Sequence, residues 1–504
     1  MMSTLSIRNL GTAITSTMTK TVCSWLLAVA CILLIANALY YSLFQNISIS
    51  SIRIVVRDFR DHRYYRPWAP KPIMIPATKR IMTELSETSV LSQRAVYSDL
   101  FGFKHTLNGV DHNEINTRKS RLLSRVLQVR GPTQFEELYP YLLRNLKTIL
   151  DAELSSGITS IRQALFGETI LSRLMGVWFF GENMASDSLL RNALLNHPRQ
   201  IKACSAAFQL TPRFLAPLVH AIITWRGSAM HLIQDRLINA ITAGIDDLDE
   251  KPEIKKLTLL YHMVDLSAAD RSYWTPERLS QSILGLWLAA SHQPWVNLHA
   301  ILVELCLRPE WQDLLRDEAL QNQRNLARNM NELPLLDSFM RETARVNSLD
   351  RVAIRRKALT DYSFSSAPLS IAAGSILCVS SYDVARNEHI YPDPEQFDGG
   401  RFLTGRCKDT SRKFTDVSEN HLIWGYGSLA CPGRHHAAFM IKMVVVHIVT
   451  NFTLQLADPE APRCGLGRTF ACPMRRRECC SARGRQKPMP FLNSRAETCR
   501  VMVC

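Results

Sequence analysis

The N-terminal part of the chain contains one long apolar stretch that carries no charge. No charged residue occurs between Lys20 and Arg53, and most of residues 22–44 are apolar. About 20 apolar residues are enough to span the hydrocarbon core of a bilayer. The pattern predicts a single transmembrane anchor at residues 22–44, with a buried core helix as the alternative. Several arginines follow from Arg53 onwards, so the positive-inside rule predicts that the main body lies in the cytosol. The predicted location of this single-pass protein is the endoplasmic reticulum membrane.

A second apolar stretch predicts a buried helix in the middle of the chain. Thr275 and Pro276 form a good helix start, because threonine caps a first turn and proline fits its first position. Apolar residues continue nearly all round the helix to about Leu307, which is typical of a core helix. Pro294 lies inside it and is expected to kink it. The polar residues just before this proline are candidates for a site wall: Ser291, His292 and Gln293. The alternative is a structural kink beside a core histidine.

The rest of the pattern predicts helices from about residue 80 to 360. Residues 351–382 are richer in β-branched residues and turns, which favours short strands. The predicted fold class is therefore mainly α with a minor β portion. The predicted plan is a short lumenal segment (residues 1–21), the anchor (22–44), a proline-rich linker (45–80), a helical body (81–462) and a basic tail (463–504).

Charge separates the tail from the body. The chain has a net charge of +15, and residues 463–504 contribute nine arginines and one lysine against two glutamates. Basic balance is typical of proteins that meet nucleic acid or an anionic membrane. Because the body shows no basic stripe with interleaved aromatics, membrane lipids and an acidic redox partner are predicted, and nucleic acid is not. The thirteen cysteines are irregularly spaced and do not indicate a disulfide framework.

The tail itself has no apolar period, so no packed element is expected there. One hypothesis is an altered reading frame or a missed splice in the gene. The transcript sequence across codons 455–504 decides it.

The strongest chemical signal is a cysteine held between glycines. Residues 424–434 read WGYGSLACPGR, with Cys431 between Gly427 and Gly433 and an apolar helical run behind them. Glycines allow the tight turns that would present a thiolate to a large flat cofactor. A cysteine thiolate on a haem iron supplies the electron density that favours O–O cleavage. A buried structural cysteine in a glycine-rich loop is the alternative.

Two further motifs precede this loop. Glu342 and Arg345 are three residues apart and share one helix face. The segment YPDPEQFDGGRF at residues 391–402 follows about fifty residues later. This order and spacing resembles the cytochrome P-450 family of haem-thiolate monooxygenases, over about residues 20–462. Residues 81–462 would then be the catalytic domain of a cytochrome P-450 fold.

The resemblance implies three groups of residues around haem b. They are an axial iron ligand with its loop, a buried charge network, and partners for a haem propionate. The iron ligand and its loop are Cys431, Trp424, Gly427 and Gly433. The charge network is Glu342, Arg345 and Arg401. The propionate partners are Arg351 and Arg355. His292 and Gln293 align with the acid and the threonine that deliver protons to oxygen in the family. Leu429 stands where an arginine or histidine usually binds a propionate, and Trp424 where phenylalanine is usual.

A narrower resemblance is to fungal membrane-bound members that tailor terpenoids and related secondary metabolites. It is carried by segments such as ELSE at residues 84–87 and LSQRAVY at residues 91–97. It implies hydroxylation or further oxidation of a lipophilic terpenoid or meroterpenoid, with O2 and electrons from an NADPH-cytochrome reductase. Tyr97–Val110, Phe208–Trp225 and Leu349–Ile354 are expected to shape the pocket. Three basic residues are candidates for contact with the reductase: Lys413, Arg434 and Lys442.

Two other functions stay open on the sequence. A haem-thiolate isomerase or dehydratase would need no reductase, and it is favoured by the absence of the family's acid–threonine pair. A non-catalytic membrane protein would instead use its basic, cysteine-rich tail to bind partners.

Overall fold

The computed structural model describes only part of the chain. The described residues are 72–107, 135–155, 163–225, 227–243, 256–323, 326–330, 332–348, 350–403, 407–455 and 499–502. All of them belong to the second of two units into which the chain divides, Trp68–Cys504. The predicted anchor at residues 22–44 lies outside the described residues, as do most of the linker and most of the tail. No helix within the described ranges is long and apolar enough to cross a bilayer.

The described part is mainly helical, as predicted. The helices are α1 (Lys79–Glu87), α2 (Gln93–Phe101), α3 (Phe103–Thr106), α4 (Phe135–Ser155), α5 (Gln163–Phe180), α6 (Glu182–Ser186), α7 (Ser188–Leu210), α8 (Ala216–Thr224), α9 (Ala229–Ala243), α10 (Leu259–Ser267), α11 (Pro276–Leu307), α12 (Pro309–Gln321), α13 (Leu326–Asn329), α14 (Pro334–Val346), α15 (Ser381–Ala385) and α16 (Arg434–Asn451).

The predicted core helix is α11, and its predicted bounds are confirmed. The Thr275 hydroxyl accepts a hydrogen bond from the Arg278 N–H at 3.4 Å, which caps the first turn. The helix continues through Pro294, and the Asn297 side chain donates to the Gln293 carbonyl at 3.0 Å. It packs against α5, α9, α14 and α16. This position makes α11 a central element of the larger hydrophobic core.

Short strands are present within residues 351–382, as predicted, and the described residues also contain strands outside that range. They are β1 (Ile73–Met74), β2 (Leu91–Ser92), β3 (Val352–Ala358), β4 (Tyr362–Ser363), β5 (Ser370–Ile371), β6 (Ile376–Ser380), β7 (Phe452–Gln455) and β8 (Cys499–Met502). One sheet has the order β1-β6-β3-β2, with β1 parallel to β6 and the other pairs antiparallel. Because β1 pairs with β6, the end of the stretch predicted as a linker belongs to the folded body.

One expectation about the tail is wrong. Cys499–Met502 forms β8, which pairs in parallel with β7 from Phe452↔Cys499 to Gln455↔Met502. A β-ladder is formed by backbone groups and therefore needs no apolar period in the sequence. The composition of the tail could not exclude such a short strand.

Buried histidines give the fold a defined dependence on pH. Burial lowers the pKa of His197 and of His299 to about 4, and that of His292 and of His421 to about 3. Because an unfolded imidazole has a pKa near 6.5, the unfolded state binds more protons below that pH. Stability is therefore fully present above about pH 6.5 and is lost as the pH falls.

We expect each imidazole to contribute a loss of up to about 1.4 kcal/mol per pH unit between about pH 6.5 and 5. Urea unfolding at about pH 7.5, 6 and 5 measures the effect. A free energy of unfolding that stays constant, or that rises as the pH is lowered over this range, would contradict the prediction.

Candidate active site

The Cys431 loop is a closed turn that leads into α16. Two short 3-10 turns, Leu422–Trp424 and Gly427–Leu429, precede the cysteine. The Cys431 N–H then donates to the Trp424 carbonyl at 2.7 Å. α16 begins at Arg434, so the sulfur lies just before the N-terminus of a long helix. A helix N-terminus favours negative charge, such as that of a thiolate.

Two of the loop's glycines are required by the backbone, and one is not. Gly425 and Gly427 have φ angles of 81° and 62°, in the left-handed region. A Cβ at Gly427 would also lie 2.4 Å from the Ser86 hydroxyl oxygen on α1. Gly433 has a φ of −89°, which other residues adopt readily. The expectation that Gly433 supplies a special turn is therefore wrong, although its N–H contributes to the site.

Cys431 is half-buried, and protein groups surround its thiol. Burial is the largest effect on this thiol and raises its pKa. The nearby backbone N–H groups of Gly433 and Arg434 and the Arg434 guanidinium lower the pKa in part. In the structure the Arg434 N–H donates to the Cys431 carbonyl at 3.5 Å. A bound metal cation deprotonates a coordinating thiol outright. The loop is therefore arranged to stabilise a thiolate once a cation is present.

Trp424 packs on the inner side of this loop. It is buried, and its indole Nε1–H donates to the Phe414 carbonyl at 2.6 Å. The two rings meet edge to face, with centroids 5.3 Å apart. Phenylalanine at this position would pack in a similar way but would leave the Phe414 carbonyl without this donor. Trp424 therefore adds a hydrogen bond to the Phe414 carbonyl that the sequence did not predict.

Glu342, Arg345 and Arg401 come together in a fully buried cluster. Arg345 on α14 donates to both Glu342 carboxylate oxygens, at 2.7 and 2.8 Å. Arg401 Nε lies 3.1 Å from each of the same oxygens, and the Asp398 N–H donates to Oε1 at 3.0 Å. Arg345 also donates to the carbonyls of Ala385 and Pro394, both at 2.7 Å. The cluster ties α14 to the segment 392–401, and its charges and donors are well paired.

A second buried ion pair lies beside this cluster and was not predicted. Arg341, also on α14, donates to Asp409 at 2.8 Å and to the Lys413 carbonyl at 2.9 Å. The Asp409 carboxylate also accepts from the Ser418 hydroxyl at 3.2 Å. This pair fixes the segment 409–418, which precedes the Cys431 loop. The sequence signal was weak, because an arginine next to the Glu-x-x-Arg motif is typical of a solvated helix face.

The middle of α11 presents one accessible face within an otherwise buried stretch. Ala289 and Gln293, four residues apart, are accessible, whereas Trp287, Ser291 and Pro294 are buried. Residues at i and i+4 share a helix face, so these two side chains lie on one accessible face of α11. They are therefore candidates for contact with a bound substrate or cofactor.

His292 lies off this face. Burial first, and Lys202 second, lower its pKa to about 3. Its imidazole is therefore neutral near pH 7, and its Nδ1 is buried without a hydrogen bond in the described structure. The proton-delivery role that the resemblance implies for His292 stays a prediction. Because an enclosed imidazole loses the solvation that a cation needs, such a role would use the neutral ring.

The structure gives both predicted propionate arginines other contacts. Arg355 is buried and pairs with Asp350, with Nη2 2.7 Å from Oδ1. Arg351 is exposed, and its guanidinium stacks on the Tyr382 ring at 4.0 Å. These contacts satisfy Arg355 and direct Arg351 to the surface, so neither fits the predicted role.

Arg356 fits that role better. It is 1% exposed, and its guanidinium donates to the carbonyls of Leu85 and Arg355, at 3.1 and 2.8 Å. Within the described residues no carboxylate pairs with it, and burial lowers its pKa to about 10. A register shift in β3 between Ala353 and Arg356 and a φ of 50° at Ile354 set its direction. An anionic group is the natural partner of such a buried cation.

The three basic residues predicted to meet a reductase are not alike. Lys413 is exposed, and Arg434 is half-buried with Nη1 donating to the Cys431 carbonyl at 2.9 Å. Lys442 is buried and pairs with Asp337 at 2.8 Å, so it cannot form part of a contact surface. The prediction for Lys442 is therefore wrong. The sequence did not indicate its burial, because Asp337 lies on another helix, far away in the sequence.

The fold and this site define a mainly helical protein with a cysteine loop before α16, a buried Glu–Arg cluster and a long buried helix. The sequence profile of the family described as cytochrome P-450 matches residues 116–478. The chain therefore belongs to the cytochrome P-450 family, whose cofactor is haem.

Curated relatives and a solved structure agree with this family. Cytochrome P-450 monooxygenase ptmP of Penicillium ochrochloron is 26% identical over 311 residues, 58% of this chain and 68% of that protein. Cytochrome P-450 monooxygenase janP of Penicillium janthinellum is 24% identical over 309 residues, 58% of each chain. The chain thus spans little more than half of some curated relatives. Retinoic acid-bound cyanobacterial CYP120A1 has a TM-score of 0.57 at 19% identity, over 75% of this chain and 81% of that one, which shows the fold.

Several observations fit haem at this site. Cys431 offers a half-buried thiol just before α16, Arg356 offers a buried cation for a propionate, and Gln293 lies on an accessible face of α11. Leu429 is 40% exposed and offers no charge, so the loop itself supplies no propionate partner at that position. The donor set therefore suits a porphyrin with one thiolate ligand and a propionate paired from the β-sheet side.

Proposed function

We propose that the protein is a haem-dependent monooxygenase that hydroxylates or further oxidises a lipophilic substrate in fungal secondary metabolism. The observation that carries the proposal is the closed Cys431 loop just before α16, in which the Cys431 N–H donates to the Trp424 carbonyl at 2.7 Å. A terpenoid or meroterpenoid is the proposed substrate class, and it rests on the resemblance of the segments at residues 84–97. The fungal monooxygenases named above support the reaction type.

Each part of the site has a defined task in this proposal. Haem, when bound, supplies activation of O2 and transfer of one oxygen atom to a C–H bond. Cys431 would supply the thiolate that binds the haem iron. Arg356 is the proposed partner of a propionate. Gln293 on α11 is the proposed group that orients a water or passes a proton, since its amide both donates and accepts hydrogen bonds.

We expect the Arg356→Met variant to retain haem more weakly than the wild type. Methionine keeps much of the apolar volume but removes the cation, so a propionate would be left without its partner. The loss is expected to be roughly tenfold in haem affinity, as is usual for residues that support a metal centre indirectly. Haem transfer to apomyoglobin measures it. Arg351→Met, at the exposed arginine, is the matched control, and equal haem loss from both variants would contradict the assignment.

The proposal extends to partners and location. The predicted anchor at residues 22–44 supports a single-pass protein of the endoplasmic reticulum membrane, with the described body in the cytosol. An NADPH-cytochrome reductase is the proposed electron donor, and exposed Lys413 is available to its acidic face. Membrane lipids would also concentrate a lipophilic substrate near the body.

Microsomes that contain the chain and a reductase test the function most completely. Fed with candidate terpenoid intermediates, they are expected to form products heavier by one oxygen atom, and only with NADPH and O2. A product that forms without NADPH, and that either keeps the elemental composition of the substrate or is lighter by one water, would instead support a haem-thiolate isomerase or dehydratase. That alternative is favoured by one observation, namely that a neutral His292 and Gln293 stand where the family has an acid and a threonine.

A further inference from the structure

A buried lysine lies on the same helix that follows Cys431. Lys442 on α16 has a side chain 2% exposed, and its Nζ lies 2.8 Å from Asp337 Oδ1 on α14. Nζ also donates to the Met330 carbonyl at 3.1 Å. A buried charge that loses its partner is strongly destabilising. The pair therefore holds α16 against α14 at a fixed position.

The ion pair continues as a chain of hydrogen bonds that ends at the cysteine. Asp337 Oδ1 accepts from the Phe414 N–H at 2.8 Å, and the Phe414 carbonyl accepts from Trp424 Nε1 at 2.6 Å. The Trp424 carbonyl accepts from the Cys431 N–H at 2.7 Å. Asp337, Phe414 and Trp424 are all buried. Since no bulk water competes for these groups, each hydrogen bond constrains the next.

We infer that Lys442 and Asp337 are positioning residues for the Cys431 loop, acting through Phe414 and Trp424. The ion pair fixes the Phe414 peptide from one side, and the Trp424 indole holds it from the other. The indole N–H is thereby committed to the Phe414 carbonyl. The inference rests on the proposed role of Cys431 as the iron ligand, because the property being positioned is thiolate ligation.

The test compares three variants of the haem-loaded full chain. Lys442→Met leaves Asp337 buried without its cation. Lys442→Met combined with Asp337→Asn removes both charges but keeps an amide oxygen for the Phe414 N–H. Gln312→Met is the control, because Gln312 is equally buried on α12 and bonds Leu305 and Leu454, outside this chain of hydrogen bonds.

The readouts are thiolate ligation and local hydrogen exchange. Lys442→Met is expected to lose the thiolate-type Soret band of the reduced carbon monoxide complex roughly tenfold faster than the wild type. Its deuterium uptake should rise in the segment 412–431. The double variant should lose the band at close to the wild-type rate. Gln312→Met should leave both readouts unchanged even where it lowers thermal stability as much as Lys442→Met does.

Two outcomes overturn the inference, and they are distinguishable. If the wild type shows the thiolate-type band and Lys442→Met decays no faster than Gln312→Met, the positioning role is wrong and the proposed function stands. A wild-type protein that loads haem without a thiolate-type band overturns the proposed function and this inference together.

Discussion

Replacing Cys431 with alanine is expected to abolish the thiolate-type Soret band of the reduced carbon monoxide complex and to reduce oxygenation to background. Alanine fills part of the space but offers the iron no ligand. Thiolate donation is what favours O–O cleavage, so catalysis should fail even where some haem stays bound.

Cys407→Ala is the matched control for this prediction. Cys407 is also buried in a loop, where its thiol contacts the Asp409 carbonyl oxygen at 3.5 Å. We expect it to keep the band and most of the activity, because its sulfur has no part in the proposed ligation. Absorbance spectra and single-turnover assays compare the two variants. Loss of the band in both, or in neither, would refute the assignment of Cys431.

The second large effect is expected for Glu342→Gln, which should prevent accumulation of folded haem protein. The amide removes the negative charge that two buried guanidinium groups share, those of Arg345 and Arg401. Breaking a buried pair in this way costs about 3–5 kcal/mol. That is a large part of the roughly 5–15 kcal/mol by which a folded domain is stable. Haem content and urea unfolding of the purified variant give the measurement.

A surface ion pair of the same segment provides the control. Glu395 pairs with Arg386 at 2.9 Å, but the Glu395 side chain is 71% exposed. Glu395→Gln should therefore change stability by only about 0–1 kcal/mol. If Glu342→Gln proved as mild as Glu395→Gln, the buried network would not have the structural weight assigned to it here.

Local patterns in the sequence predicted the elements of the fold well. The cap at Thr275, the proline at position 276 and the long apolar run predicted α11 with its ends, because helix starts depend on nearby residues. The clustering of Glu342, Arg345 and Arg401 followed from the resemblance, and the structure places the three side chains together. These signals need no knowledge of distant packing.

Long-range packing explains most of what the sequence did not predict. Lysine is usually exposed, so nothing local indicated that Lys442 is buried against Asp337. Arg355 and Arg356 are adjacent and identical in chemistry, yet Arg355 meets Asp350 whereas Arg356 donates to the Leu85 carbonyl on α1. The low pKa of His292 likewise depends on burial in the folded core. For Lys442 and Arg356 the deciding partner lies on a different element.

The most direct test of the account is the spectrum of the purified full-length chain from haem-replete cells. After reduction and addition of carbon monoxide, the account predicts a coloured protein with a thiolate-type Soret band that disappears in Cys431→Ala. A folded but colourless wild-type protein, or a Soret band that the Cys431→Ala variant retains unchanged, would contradict it.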